Sequence, residues 1–495
     1  MKILIGSLAI LLSLASCSYP TVKTIAVPPQ AGLSMSTPFA GISQQIAAMP
    51  ENGRVVILFV HGMGDHCPGY ALNERLGWFS SDVVKALGLS RDNGTLPKSN
   101  NADAPERLIV PDFENEDSKS TLVMQRYRYT VDNTNKHVDA VEITWSGLDR
   151  WLKDVQLGYD MSDVRYPSPP PKDLKKGDDI LDCVDKVGGG FKEPRVVVNK
   201  AFKDGLLDRN LSDAVVYAGS YGPKIERETA DALCRLLRDD WAEGDTATRC
   251  IWPVDPEIGS TRFVFVTHSL GSRIAYDTIL ELSKERMRPN TAVFTDDEIN
   301  RAAPSIKQLL ANTTAIYMMA NQLPLLGLAN ARPTMNSHDG GVRLMALSVA
   351  APASSAQPAF VEASAASRWS AQRSALRAAT QAQPDEVLQL AIIRRDAIAD
   401  NNGPTNTGTL DIVAFSDPND LLSYSIPDWY ASASGELNVR VTNVFVHNAP
   451  RWLWLVENPS SAHTNYMIND DVWKAIACGA VDGAHPACTD VSSRR

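Results

Sequence analysis

Several signatures that would assign a function class at once are missing from the chain. Its seven cysteines include no Cys-x-x-Cys pair, so the paired ligand spacing of a structural zinc site is missing. After the first twenty residues no apolar run approaches the roughly 20 positions needed to cross a bilayer. The formal net charge is −10, with acidic and basic residues mixed along the chain and no basic stretch interleaved with aromatics. That charge pattern argues against a nucleic-acid partner. No internal repeat is visible across the 495 residues, which excludes a solenoid.

What is present begins with "MKILIGSLAILLSLASCSYP", one positive charge followed by a short apolar run and Leu14-Ala15-Ser16-Cys17. The run is too short for a retained spanning helix and fits a cleaved secretory signal. "LASC" is similar to the bacterial lipoprotein cleavage box, which implies a signal peptide over residues 1–16 and a lipid on Cys17. Ser18, in place of Asp, then implies the outer membrane, with the protein facing the periplasm. Residues 17–50 are expected to be a lipidated N-terminus and flexible linker, 51–480 the folded domain and 481–495 a tail. In an oxidising envelope the other six cysteines favour disulfides over metal, and proximity in sequence suggests Cys234 with Cys250 and Cys478 with Cys488.

Short β-branched runs recur far apart at 54–62, 138–145, 262–269, 315–321, 410–416 and 441–447. Helical patterns lie between them, notably at 71–89, 213–237, 272–287 and 470–477. Buried strands alternating with helices predict an α/β fold with a mostly parallel central sheet. Residues 151–205 are dense in Pro and Gly, and 331–408 hold an Ala/Ser/Gln-rich helical pattern at 364–383 and the polar "DNNGPTNTG". Both are expected to be insertions, forming a cap or lid or decorating the surface.

One strand run stops at Thr267-His268-Ser269-Leu270-Gly271, a loosened form of G-x-S-x-G. A chain of this length holds roughly one such match by chance, and Ala218-Gly219-Ser220-Tyr221-Gly222 is a second. Around Ser220 the apolar spacing stays helical and Pro223 breaks it. Around Ser269 a strand precedes, and Ile274, Ala275, Thr278, Ile279 and Leu282 lay an apolar stripe on the helix that follows. A nucleophile elbow needs that strand-turn-helix context. The first strand ends in His61-Gly62-Met63-Gly64-Asp65. "DIVAFSDPNDLLSY" sets Asp417 and Asp420 just past a later strand, and "NPSSAHTNYM" sets His463 in a small polar loop before a helix.

In these parts and in their order the chain resembles the α/β-hydrolase superfamily, particularly its lipase and esterase branch, over about half its length. Thr267 departs from the family's usual Gly. The resemblance implies Ser269 as nucleophile, Asp420 as acid with Asp417 as the alternative, and His463 as base with His447 and His485 as rivals. It also implies an oxyanion hole from the N–H groups of Met63 and Leu270, and chemistry that needs no metal or cofactor. His61, Asp65 and His66 are a competing, weaker metal pattern. The expected activity is carboxylic-ester hydrolysis on an ester or lipid substrate; acyl transfer or phospholipase action on the same residues, or a non-catalytic envelope scaffold, are the alternatives.

Overall fold

The computed structural model describes residues 23–26, 39–73, 77–92, 105–111, 121–158, 193–196, 199–200, 203–241, 248–253, 258–283, 293–327, 386–400, 408–426, 437–449 and 457–479. Its strands are β1 (Lys23–Ala26), β2 (Arg54–Val60), β3 (Leu89–Arg91), β4 (Glu106–Pro111), β5 (Thr121–Val131), β6 (His137–Thr144), β7 (Thr261–His268), β8 (Thr313–Met319), β9 (Leu410–Ser416) and β10 (Val439–Phe445). They form one sheet in the order β1-β10-β9-β8-β7-β2-β6-β5-β3, with β4 also on β5. Every pairing from β10 across to β6 is parallel. The six expected strands are these six. The antiparallel β1 closes one edge and the β3, β4, β5 group extends the other.

The helices are α1 (Ile42–Ala47), α2 (Ser81–Ala86), α3 (Arg150–Leu157), α4 (Ser212–Ala218), α5 (Gly222–Arg238), α6 (Leu270–Leu282), α7 (Asp296–Ala311), α8 (Leu323–Gly327), α9 (Glu386–Asp400), α10 (Pro459–Thr464) and α11 (Asp470–Cys478). A π-helical segment, Lys203–Leu211, leads into α4. Side chains alternate across a strand, and β2 shows the result. Val56, Leu58 and Val60 pack in one layer with Ile225 of α5, Ile274 of α6, Ile306 of α7 and Ile393 of α9. Val55, Ile57 and Phe59 face Ile42 of α1, Trp78, Phe79 and Ile476 of α11. The molecule is therefore an α/β protein whose mostly parallel sheet is covered by helices on both faces, and α6 behind β7 is buried along its whole length.

Local departures from expectation have local causes. Among the described residues of the predicted helix at 71–89 only α2 forms, because the buried Glu142 side chain of β6 accepts the N–H groups of Gly69, Ala71 and Leu72 and holds that backbone as a loop. Segment 213–237 is helical but broken at Gly219, between α4 and α5. Two pieces of the expected linker belong to the fold: β1 pairs with β10, and Phe39, Ile42, Ile46 and Met49 are core. The segment 364–383, Cys17 with the signal segment, and the 481–495 tail lie outside the described residues. So do 159–192 and 328–385, most of the two insertions. No helix among the described residues is long and apolar enough to cross a membrane.

Cys234 and Cys250 form a disulfide with Cα atoms 6.0 Å apart. Cys67 and Cys478 are each engaged in a further disulfide; Cys488, the expected partner of Cys478, lies outside the described residues. The Cys234–Cys250 bridge closes a loop of 16 residues in sequence separation, which in the chain-entropy model contributes about 3 kcal/mol. A Cys234→Ala/Cys250→Ala variant is expected to lose a large part of that in urea unfolding followed by circular dichroism. An unchanged midpoint would show that the unfolded chain is not constrained there.

Candidate active site

The carboxyl ends of β2, β7, β9 and β10 lie side by side along the parallel sheet, and the loops leaving them carry the candidate residues. At the end of β7 the backbone turns so sharply that Ser269 adopts φ 51°, ψ −125°, a conformation that costs a non-glycine residue on the order of 1–3 kcal/mol. The turn is fixed by the Ser269 N–H donating to the Met319 carbonyl at 2.8 Å and by close packing against the end of β2. A Cβ on Gly271 would sit 2.2 Å from the His61 carbonyl oxygen, and one on Gly62 would sit 2.5 Å from His268 Nδ1 and 2.6 Å from the Ser269 Cβ. Only glycine fits at either place. Thr267 is accommodated because its hydroxyl is spent, 2.7 Å from the Ser272 hydroxyl and 3.3 Å from the Tyr317 carbonyl.

Ser269 Oγ lies 3.0 Å from His463 Nε2. The other ring nitrogen, Nδ1, lies 2.9 and 3.0 Å from the two carboxylate oxygens of Asp420. A carboxylate only accepts, so Nδ1 carries the proton and Nε2 is left to accept from the serine hydroxyl. All three side chains are buried. Asp420 also accepts the Leu422 N–H at 3.0 Å and the Tyr466 hydroxyl at 3.1 Å. His463 sits on α10, whose N-cap Asn458 accepts from Ser460 and Ser461 N–H.

Asp417 occupies a different place. Its oxygens accept the N–H groups of Asn419 at 2.9 Å and Asn448 at 2.6 Å, so it shapes the turn that presents Asp420. His447 lies 4.0 Å from Asp417, and the imidazole bonded to Ser269 is that of His463. His485 lies outside the described residues. Ser220 is exposed at the turn between α4 and α5.

His61 is a brace for the loop it begins. Its Nε2 accepts the N–H groups of Trp145 at 3.0 Å and Ser146 at 3.3 Å, its Nδ1–H donates to the Gly62 carbonyl at 2.8 Å, and its ring stacks on Trp145. Burial holds it neutral, well below the usual histidine range. Both nitrogens being used, and Asp65 being ion-paired to Lys153 at 2.8 Å, the metal pattern of His61, Asp65 and His66 does not assemble. Asp417, His447 and Glu457 do bring ligand atoms within 4.8 Å of one another, but both Asp417 oxygens already hold backbone N–H groups. The Met63 and Leu270 N–H groups donate to no protein acceptor among the described residues.

Two supporting residues lie inside the quoted motifs without a role assigned to them there. His268, buried next to the nucleophile, donates from Nε2 to the His463 carbonyl at 3.0 Å, and burial keeps it too well below the ordinary histidine pKa. Tyr466 accepts the Asp417 N–H at 2.5 Å while donating to Asp420. Its spacing of three from His463 was the available signal. Compared with known proteins, the chain matches no family model, no curated protein and no solved structure.

Two outcomes follow from this geometry. Tyr466→Phe removes a hydrogen bond to a charged acceptor, about 1.5–3 kcal/mol, and is expected to lower turnover of a nitrophenyl ester roughly tenfold; full activity would make Tyr466 a purely structural residue. His61 and His268 have folded pKa values depressed below about 6.5, so the unfolded chain binds more protons than the native one below that pH. Their contribution to stability is complete above about 6.5 and is lost on acidification, by up to about 1.4 kcal/mol per pH unit each. Urea midpoints from pH 7 to 5 should fall less for His61→Asn than for the wild type, and parallel curves would refute the linkage.

Proposed function

We propose that the protein is a serine hydrolase of the α/β-hydrolase class that cleaves carboxylic esters through an acyl-enzyme on Ser269. The observation that carries this is the continuous hydrogen-bonded line from Ser269 Oγ through His463 to Asp420, set on a strained elbow. His463 Nε2 takes the serine proton as Oγ attacks the ester carbonyl. The negative charge that develops on the carbonyl oxygen meets the Met63 and Leu270 N–H groups, of which loss of one typically costs about 3 kcal/mol of barrier. Collapse of the tetrahedral intermediate breaks the bond to the alcohol, which leaves with the proton from His463. Water then attacks the acyl-serine by the same route, its proton passing to Nε2 and on to the released Ser269 oxygen. Asp420 stays ionised throughout and stabilises the imidazolium.

The proposal extends to place and substrate. A lipid on Cys17 would tether the enzyme to the outer membrane, facing the periplasm, where ester or lipid substrates are at hand. No nucleic acid takes part.

Ser269→Ala is expected to abolish both nitrophenyl-ester hydrolysis and labelling by a fluorophosphonate, while Ser220→Ala leaves them intact. Asp420→Asn should reduce kcat by about 10⁴, and far more than Asp417→Asn. Activity retained in Ser269→Ala would sink the assignment. Equal losses in the two Asp variants would undo the choice of acid.

A further inference from the structure

We propose that Asp213, which reaches the site from α4 on the far side of the 151–205 insertion, is a positioning residue for the oxyanion loop. The role rests on the hydrolase reading above. The Met63–Gly64 peptide is held at both ends. Its carbonyl lies 3.3 Å from His66 Nε2, and its N–H donates to Asp213 Oδ2 at 2.6 Å. The peptide before it has its carbonyl on His61 Nδ1 and presents the Met63 N–H, the donor proposed for the oxyanion. Rotation of either peptide would turn that N–H away. Gly64 takes φ +102°, a region open to glycine and strained for other residues, so its own torsions resist rotation little and the hold comes from its partners.

Asp213 is fully buried and itself fixed. Its other oxygen, Oδ1, lies 2.5 Å from the Lys153 ammonium of α3, which also holds Asp65 at 2.8 Å. Arg150 stands 3.9 Å from Asp65 on the outer side. The fifth member is Asp149, equally buried, whose carboxyl oxygens meet no hydrogen-bond donor and lie 3.7 Å from Lys153 at the nearest. Burial first, and the Asp213 charge second, raise the Asp149 pKa well above the ordinary carboxylate value. Burial raises Asp213 as well, with the Lys153 ammonium and the Gly64 N–H pulling the other way, so of the two carboxyls Asp213 is the one that holds both donors. One carboxylate thus does two jobs that need two acceptor oxygens: Oδ1 for the ammonium and Oδ2 for the loop.

That division of labour supplies the test. Asp213→Asn has nearly the same volume but only one acceptor. The buried ammonium takes it, and the amide NH₂ then faces the Gly64 N–H, donor against donor. Expected is a drop in kcat for a nitrophenyl ester of about 30-fold, short of the 10²–10³ for outright loss of an oxyanion donor. KM should change less than about threefold, and affinity for a boronic acid, whose tetrahedral adduct fills the same hole, should fall in parallel with kcat. Adding Lys153→Met frees the amide oxygen to turn to Gly64, so the double variant should recover most of kcat although the ion pair is gone. A merely structural ion pair predicts the opposite. Wild-type kcat in Asp213→Asn, or no recovery in a folded double variant, overturns the proposal.

If the single variant does not fold, exchange of the Gly64 amide in the unliganded wild type decides. Protection supports the clamp, and free exchange until a boronic acid is bound refutes it. A wild type that fails to react with a fluorophosphonate at Ser269 would instead overturn the hydrolase reading, and the oxyanion role with it.

Discussion

The arrangement depends on one close approach, that of the loop leaving β2 to the turn leaving β7. Two neighbouring parallel strands end together, and the backbone atoms of His61 and Val60 press on Gly271 while Gly62 presses on His268 and Ser269. This contact leaves the serine no room for an ordinary conformation. The strain at φ 51° is tolerated because the sheet on one side and the fully buried α6 on the other over-determine the path. Glycine at 62 and at 271 is one requirement expressed twice, about two hundred residues apart.

Around that contact the site is built from neutral imidazoles and shared acceptors. His61 and His268 are each kept uncharged by burial: His61 spends both nitrogens on the backbone of Trp145, Ser146 and Gly62, and His268 spends Nε2 on the carbonyl of His463. Asp420 and Asp213 each have defined donors. Asp420 faces His463, Leu422 and Tyr466, and Asp213 faces Lys153 and Gly64. In a low-dielectric interior such fully paired groups are rigid, whereas an unpaired one is costly.

How much of this was legible in the sequence follows from the range of each signal. The six parallel strands were visible because burial on both faces makes them predominantly apolar, and Ser269, Asp420 and His463 were visible because a strand-end motif, a turn and a late histidine fall in one order. β5 was not, since it carries Gln125 and Arg126 inward, and Arg126 is acceptable there only because Glu106 and Asp239 meet it. Glu142 within β6 is a similar case: a buried acid, pushed up to about 7 by burial and made tolerable by N–H groups from a loop some seventy residues away. The pairing of Asp213 with Gly64 spans 149 positions. Nothing local at either residue encodes it. The edge strand β1 and the buried Phe39 were hidden by the Pro- and Ser-rich composition around them.

Tyr466 joins the turn of Asp417 and Asp420 to the stretch that carries His463, and Asn448 adds a second tie by donating its N–H to Asp417 and its side-chain amide to the Ala462 carbonyl. Acid and base therefore belong to a single hydrogen-bonded body, docked on the elbow as one piece. Along the chain, by contrast, 43 positions separate the two residues. Spatial precision and contour length are uncoupled here: outside Leu422, β10 and Asn448, the intervening chain can lengthen, shorten or change character without altering the acid–base distance. That is the kind of freedom through which a fixed catalytic core acquires new specificities.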